Sequence, residues 1–158
     1  MIFFVIAVIL LILDQITKWI VFVGIPVYSR VTVINGFFYL AHVYNTGAAW
    51  SLFQGANWIF VSLAFAAIIC LIIFMLKIKN KKYRLALALI LGGTAGNLTD
   101  RLFGPFYRHM DGVLDFLEFH FGNYVYPIFN VADSCIVIGG VLLVLLLLLD
   151  ERKEKKNG

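Results

Sequence analysis

Charged residues are scarce in this sequence, and their scarcity excludes an ordinary soluble protein. Only 14% of the 158 residues are Asp, Glu, Lys or Arg, whereas about a quarter are charged in a typical soluble domain. Hydrophobic residues make up 62% of the chain, and the mean hydropathy is +0.93. This composition predicts an integral membrane protein, with residues 1–158 forming one membrane-embedded domain.

Cysteine and histidine are also rare, which argues against a disulfide framework and a metal site. Cys70 and Cys135 both lie within apolar runs. The three histidines are scattered without the spacing of metal ligands. The sequence contains neither a phosphate-binding loop nor a serine-nucleophile motif. We therefore expect no metal and no other cofactor.

The basic residues, which give the chain a net charge of +4, are concentrated in two short tracts beside apolar runs. One tract is Lys77–Arg84, and the other lies within Asp150–Lys156. Such tracts mark the cytoplasmic ends of membrane helices. They indicate topology, so we expect no nucleic-acid partner.

Four apolar segments match, or nearly match, the length needed to cross a bilayer core of about 30 Å, which is about 20 helical residues. They cover residues 2–23, 58–76, 85–103 and 131–149. The sequence thus predicts an all-α membrane bundle of four transmembrane helices. With both basic tracts in the cytoplasm, the N- and C-termini are cytoplasmic as well.

Two segments, residues 24–57 and 104–130, then lie on the outer side of the membrane. Tyr28–Ile34 alternates like a strand, and Asn35-Gly36 predicts a turn after it. The second segment contains Pro105, Pro127 and many aromatic residues. We expect it to lie in the membrane interface, where aromatic side chains are favoured.

Polar side chains recur at helical spacing on three of the four spans, so each set faces one way. All three sets fall near the outer end of their span. Because ionisable groups within spans usually face a protein interior or a wet cavity, we expect one shared polar pocket open to the outer side. The sets are Asp14, Thr17 and Lys18; Asn97, Asp100 and Arg101; and Asn130, Asp133 and Ser134.

Structural roles are an alternative for several of these residues. Asp14 and Lys18 have the spacing of a helical ion pair, with Lys18 extending outward to water. Asp100 beside Arg101 fits a pair that supports the third helix. Asn97 and Asn130 fit residues that satisfy backbone groups at helix ends.

The acidic residues of the outer side also have plainer explanations. Asp133 fits a first-turn carboxylate that the helix dipole favours. Asp115 fits an ordinary loop aspartate, and we expect its neighbours Asp111 and Glu118 to be solvated. Gly92, Gly93 and Gly96 fit close helix packing, as do Gly139 and Gly140.

If Asp115 and Asp133 converge, however, the two carboxyl groups form one acid and one base, because neighbouring carboxylates push their pKa values apart. Such a pair hydrolyses peptides without a metal or a covalent nucleophile. A proton-coupled transporter is an alternative, but the inner halves of the spans lack the polar path that it requires. An assembly factor that binds a partner helix through its glycines is another, although it would not need two aligned aspartates.

Five motifs resemble, in order, those of the bacterial lipoprotein signal peptidase family, also called signal peptidase II. They span nearly the whole chain, and together they are far more specific than any one of them. The motifs are Asp14-Gln15-Ile16-Thr17-Lys18, Asn45-Thr46-Gly47-Ala48-Ala49-Trp50-Ser51, Gly92-Gly93-Thr94-Ala95-Gly96-Asn97-Leu98-Thr99-Asp100-Arg101, Val113-Leu114-Asp115-Phe116 and Phe129-Asn130-Val131-Ala132-Asp133.

The resemblance implies an aspartyl endopeptidase at the outer face of a bacterial inner membrane. Its substrate would be a diacylglyceryl-modified prolipoprotein, cut just before the lipidated cysteine, and the enzyme would be monomeric among membrane lipids. The resemblance makes Asp115 and Asp133 the catalytic pair. It assigns binding or supporting roles to Asn45, Asn97, Arg101, Asn130, Asp14 and Asp100.

The resemblance also extends to the outer segments. Residues 24–57 would form a cradle of strands on the membrane, and residues after Phe103 a short interfacial helix that covers the site. We expect the acyl chains and the signal helix of the substrate to bind to apolar surfaces of the spans. Four aromatic residues would contribute to this binding, namely Phe37, Phe38, Trp50 and Phe129. Asn45, Asn130 and Arg101 are candidate donors to the developing oxyanion.

Overall fold

The computed structural model describes residues 1–47, 57–109 and 111–157, which form four long helices and one small sheet. The helices are α1 (Ile2–Gly24), α2 (Asn57–Lys77), α3 (Lys81–Tyr107) and α4 (Val131–Asn157). The strands are β1 (Arg30–Ile34), β2 (Phe38–Asn45), β3 (Val113–Phe121) and β4 (Tyr124–Val125).

Three helices, α1, α2 and α4, are long and apolar enough to cross a membrane. The chain is therefore a membrane protein. At 27 residues α3 is also long enough, but it carries basic residues in its first turn and the polar set around Asp100 near its other end. Its role as a fourth span, and the orientation of the termini, stay predictions.

Helix α3 is the centre of the bundle and packs against the other three helices. Glycines make this close packing possible. A Cβ atom on Gly92 would lie 2.8 Å from the main-chain oxygen of Ala7, and one on Gly93 would meet the main-chain oxygen of Ala132. On α4, a Cβ atom on Gly139 would lie 2.8 Å from the oxygen of Ala86. The structure agrees with the packing role inferred for Gly92, Gly93 and Gly139. The same prediction is wrong for Gly140, where an added Cβ atom would meet nothing within 4 Å.

The sheet lies at the end of the bundle where α1 stops. Its strands are antiparallel in the order β1-β2-β3-β4. The turn predicted at Asn35-Gly36 is present, and Gly36 supplies the positive φ of +73° that the turn needs. Leu114 and Phe116 of β3 pack with Val21 and Ile25 in a buried cluster, which anchors the sheet on α1.

The short interfacial helix that we expected after Phe103 is not a separate element of the described residues. Helix α3 instead continues through Pro105 to Tyr107, and Val113–Phe121 forms a strand next to β2. The alternation of side chains between two faces of the segment explains why it forms a strand and not a helix. Leu114, Phe116 and Glu118 are buried on one face of β3, while Asp115 and Phe119 border a cavity on the other.

Candidate active site

A cavity of about 1040 Å³ lies at the sheet end of the bundle, among β2, β3, α3 and α4. Its wall is largely apolar, with a few polar side chains at one place, as in many small-molecule and peptide sites. The structure brings together here five of the eight residues to which the family resemblance assigned catalytic, binding or supporting roles. They are Asn45, Asn97, Arg101, Asp115 and Asp133.

Asp115 projects from β3 into this cavity and is only 4% exposed. One carboxylate oxygen accepts a hydrogen bond of 3.1 Å from the Asn45 amide, and the other accepts one of 2.6 Å from the Asn130 amide. Burial, and next the nearby charge of Asp133, raise the pKa of Asp115 to about 7. The carboxyl group therefore exchanges its proton near neutral pH.

Asp133 lies in the first turn of α4 and is half-buried in the cavity wall. Its carboxylate accepts hydrogen bonds from the Asn97 amide at 2.7 Å and from the main-chain N–H of Asn130 at 3.2 Å. The Asn130 side chain in turn accepts from the main-chain N–H of Asp133 at 2.9 Å. Asp133 thus takes part in capping α4 and also borders the cavity, so the structural role and the site position coexist.

Asn130 is the residue that joins the two aspartates. It is fully buried, and its amide donates to Asp115 while its main-chain N–H donates to Asp133. The same amide approaches the Asn97 oxygen at 3.2 Å. The two carboxyl groups are therefore both within hydrogen-bond reach of one residue.

Lys18 connects a second group of buried polar side chains to this pair. Its ammonium lies 2.8 Å from Asp14, 3.0 Å from Asp100 and 3.0 Å from the Asn97 oxygen. The expectation that Lys18 extends outward to water is wrong, because its side chain is 0% exposed. Two carboxylates and an amide oxygen replace the water that the ammonium would otherwise need.

Asp14 ties α1 to α4. Its carboxylate accepts a hydrogen bond of 2.9 Å from the main-chain N–H of Ala132, in the first turn of α4. The close approach depends on a small residue on α3, since a Cβ atom on Gly96 would lie 2.6 Å from the Asp14 carboxylate. Asp14 thus has a supporting position behind the cavity.

Asp100 and Arg101 do not form the pair that their adjacency suggested. Successive residues on a helix point about 100° apart, so the two side chains face different partners. Asp100 faces Lys18 and also Arg108, whose guanidinium lies 3.1 Å away. Arg101 instead borders the cavity and donates to the main-chain oxygen of Gly47 at 2.7 Å.

Two further contacts of Arg101 lie on α2. Its guanidinium donates to the Asn57 side chain at 3.1 Å and lies 4.7 Å from the centre of the Phe60 ring. These contacts hold a positive charge in the cavity wall, near Asp115 and Asp133.

Glu118 is not solvated, contrary to expectation. It is buried, and one carboxylate oxygen lies 2.6 Å from both Arg30 and His120. Glu118 lies on the face of β3 opposite Asp115. The neighbouring residues in the sequence did not indicate that this face is buried. Asp111 is exposed, as expected.

Sequence reasoning missed two contributors to the polar core. Gln15 donates at 3.1 Å to Asp14, to the oxygen of Gly96 and to Asp100. Its polarity within an apolar run was a usable signal. Arg108 offered none, because it follows the predicted end of the third span.

Of the four aromatic residues predicted to contact the substrate, two border the cavity. Phe37 and Phe129 border the cavity, whereas Phe38 stacks on Phe119 with ring centres 4.7 Å apart. Trp50 lies outside the described residues. Within the part of the chain that the structure describes, no group of three His, Cys, Asp or Glu residues is arranged to hold a metal ion.

The fold and the site define a membrane protein that holds two neighbouring aspartates in a cavity at one end of its helix bundle. Residues 6–149 match the family model described as Signal peptidase (SPase) II. The chain belongs to this family and is therefore a peptidase. The resemblance noted in the sequence motifs is thereby confirmed.

Individual relatives agree with this membership. The chain is 40% identical over 159 residues to a lipoprotein signal peptidase of Bacillus pumilus, covering 99% of each protein. It is 37% identical over 151 residues to that of Symbiobacterium thermophilum, covering 94% of this chain and 95% of the relative. These names favour the peptidase over the transporter and the assembly factor.

Solved structures share the fold. A bacterial membrane enzyme determined by the in meso method at 2.3 Å resolution superposes with a TM-score of 0.83 at 32% identity, covering 93% of this chain and 87% of that one. A second, at 1.9 Å resolution, has a TM-score of 0.79 at 32% identity and covers 91% and 90% of the two chains.

Proposed function

We propose that this peptidase is an aspartic endopeptidase that removes the signal peptide from diacylglyceryl-modified prolipoproteins, cutting just before the lipidated cysteine. Family membership and the relatives' names support the substrate class. The observation that carries the catalytic type is the bridging of Asp115 and Asp133 by Asn130 in the wall of one cavity.

In this mechanism the two aspartates share one proton. Asp115 holds it, because burial disfavours the charge of this carboxyl group. Asp133 takes a proton from a water molecule as the water oxygen attacks the scissile carbonyl carbon, while Asp115 donates a hydrogen bond to the carbonyl oxygen. When the C–N bond breaks, the proton taken by Asp133 passes to the leaving nitrogen.

Arg101 is the strongest of the three candidate donors to the developing oxyanion. The amides of Asn45 and Asn130 already donate to Asp115, which limits what they offer to a substrate. Arg101 brings a permanent positive charge to the cavity wall. Charge stabilisation of this kind is strongest in a site that excludes water.

The membrane arrangement completes the proposal. Helix α3 serves as the fourth span, and the sheet end of the bundle faces the outer side of a bacterial inner membrane. This places the basic tract Lys77–Arg84, at the opposite end, in the cytoplasm. The enzyme would act as a monomer.

The apolar cavity wall suits the lipid part of such a substrate. Phe37 and Phe129 lie on the sheet side of the cavity, and Ile136, Val137 and Ile138 lie on α4. Burying an acyl chain contributes about 0.8 kcal/mol per CH₂ group, so lipidation adds much to binding. The sheet would then act as a cradle for the substrate at the membrane surface.

The proposal is tested by cleavage of a diacylglyceryl-modified precursor by the purified protein in detergent, beside the same precursor without lipid. We expect kcat/KM to be at least about tenfold higher for the lipidated precursor, since even a few buried CH₂ groups supply that difference. Mass spectrometry of the product should show the lipidated cysteine as its first residue. Equal cleavage of both precursors, or cleavage at another bond, would contradict the proposed substrate.

A second expected result concerns pH. The working form keeps the proton on Asp115, whose pKa is raised to about 7, so that proton is lost as the pH rises through this value. We expect kcat/KM to fall above about pH 7 and to approach a tenfold loss per pH unit. Thermal unfolding measured over the same range serves as the control for loss of folded protein. A flat profile up to pH 9 would contradict a proton held by Asp115.

A further inference from the structure

Arg108, just after the end of α3, is buried with few partners. Its side chain is 1% exposed, and one terminal nitrogen lies 3.1 Å from the Asp100 carboxylate. The guanidinium carbon lies 4.8 Å from the centre of the Tyr107 ring. Among the described residues, the other two guanidinium nitrogens have no hydrogen-bond partner.

Stability alone explains this arrangement poorly. Burying a guanidinium is costly unless its N–H groups find acceptors, and among the described residues Asp100 provides one for Arg108. Buried ion pairs are often no more stabilising than apolar residues of similar volume. The contact with Asp100 is therefore weak evidence for a purely stabilising role of Arg108.

The partner of Arg108 holds the main chain beside the catalytic pair. Asp100 accepts a hydrogen bond of 3.1 Å from the main-chain N–H of Leu114. Leu114 is fully buried and directly precedes Asp115 on β3. The Asp100 carboxylate therefore fixes the distance of this strand from α3, and with it the position of Asp115.

Arg108 also sets the charge behind the site. By formal charge, Asp14 and Asp100 bring two negative charges against the single positive charge of Lys18, and Arg108 balances the remainder. Lys18 contacts the Asn97 side chain, which donates to Asp133, so this group adjoins the pair. Among the described residues, Arg101, Tyr44 and Tyr107 are further charged or titratable side chains around the Arg108–Asp100 contact and the pair.

We propose that Arg108 is a positioning residue for the aspartate pair: it holds Asp100 against the strand that carries Asp115, and it supplies the charge that keeps the buried group behind the pair neutral. This inference rests on the proposed catalytic role of Asp115 and Asp133. Without Arg108, a net negative charge remains behind the pair and stabilises protons on both carboxyl groups.

The test compares Arg108→Gln and Arg108→Met, which remove the charge, with Arg108→Lys, which keeps it. Arg30→Gln is the matched control, because it removes a guanidinium paired with Glu118 on the opposite face of the sheet. For each purified variant, kcat/KM for the lipidated precursor is measured across pH, together with thermal unfolding. Asp115→Asn is assayed in parallel.

We expect the alkaline fall in kcat/KM to move upward by about 0.5–1 pH unit in the Gln and Met variants, the size of effect that one charge has at moderate distance in a protein. The Lys variant should restore the original midpoint, and Arg30→Gln should not move it. A lower rate at every pH with an unchanged midpoint would overturn the inference, because a purely structural role has that signature.

The remaining outcomes are also decisive. Failure of both the Gln and Met variants to fold, with Lys folded normally, would overturn the inference in favour of a stabilising role. Activity retained in Asp115→Asn would instead refute the proposed function. An inactive Asp115→Asn variant with an unmoved profile in the Arg108 variants would refute only the role of Arg108.

Discussion

Replacing either Asp115 or Asp133 with Asn is expected to lower kcat/KM for a lipidated precursor by about 10³-fold or more, which general acid–base catalysis accounts for. Asn keeps the shape of the side chain but cannot exchange a proton near neutral pH. Each aspartate accepts two hydrogen bonds, and the oxygen of Asn can still accept one of them. The lower kcat/KM should therefore come from the lost proton transfer and not from unfolding of the protein.

Asp111→Asn is the matched control for this experiment. Asp111 is exposed and close to Asp115 in sequence, so the same substitution there should leave activity unchanged. Thermal unfolding of all three variants shows whether they are folded. Full activity in a purified, folded Asp115→Asn or Asp133→Asn variant would refute the aspartic mechanism.

Lys18→Met is expected to reduce the free energy of unfolding by about 3–5 kcal/mol, because it leaves a buried negative charge without its partner. The ammonium of Lys18 lies within 3.0 Å of Asp14 and of Asp100, and its side chain is 0% exposed. Met fills a similar volume without the charge. Denaturant unfolding in detergent, followed by tryptophan fluorescence, measures the change.

The chain offers a closely matched control for Lys18. Lys155 pairs with Glu151 at the same i,i+4 spacing and at 2.6 Å, but its side chain is 76% exposed. Because water screens an exposed pair, Lys155→Met should leave stability nearly unchanged. If both substitutions lowered the free energy of unfolding equally, burial would not be the reason that the Lys18 contacts are strong.

Much of the helical framework could be predicted from the sequence. The four apolar segments correspond to α1, α2, α3 and α4 within a few residues at most ends. Long apolar runs report helix position directly, because lipid requires every backbone polar group to be satisfied within the segment. The ends were less certain, as α3 shows by continuing to Tyr107.

The convergence of Asp115 and Asp133 could also be anticipated, although only as a hypothesis. The sequence placed both near the same end of the bundle and matched both to family motifs. It did not indicate that Asn130 bridges them, because that contact requires β3 to lie beside the start of α4. Their catalytic roles stay a proposal that the Asn substitutions test.

Side-chain partners were the least predictable feature. Adjacency suggested that Asp100 pairs with Arg101, yet Asp100 meets Lys18 and Arg108. Position in a polar outer segment suggested that Glu118 is solvated, yet it is buried against Arg30 and His120. Lys18 and Arg30 lie on other elements than Asp100 and Glu118, so local pattern carries no information about those two contacts. His120 lies two residues from Glu118 on the same face of β3, and Arg108 follows Asp100 by eight residues, but local pattern does not show that these carboxylates are buried.

The sequence by itself determined the class of this protein, because the free energy of placing apolar runs in lipid depends on composition and segment length. It also determined which few polar residues interrupt those runs. Only the tertiary structure decided which of these residues face one cavity, and which form the buried charge group behind it. Electrostatic and hydrogen-bond energies depend on distances between atoms of different segments, and packing around α3, with the pairing of β2 and β3, sets those distances.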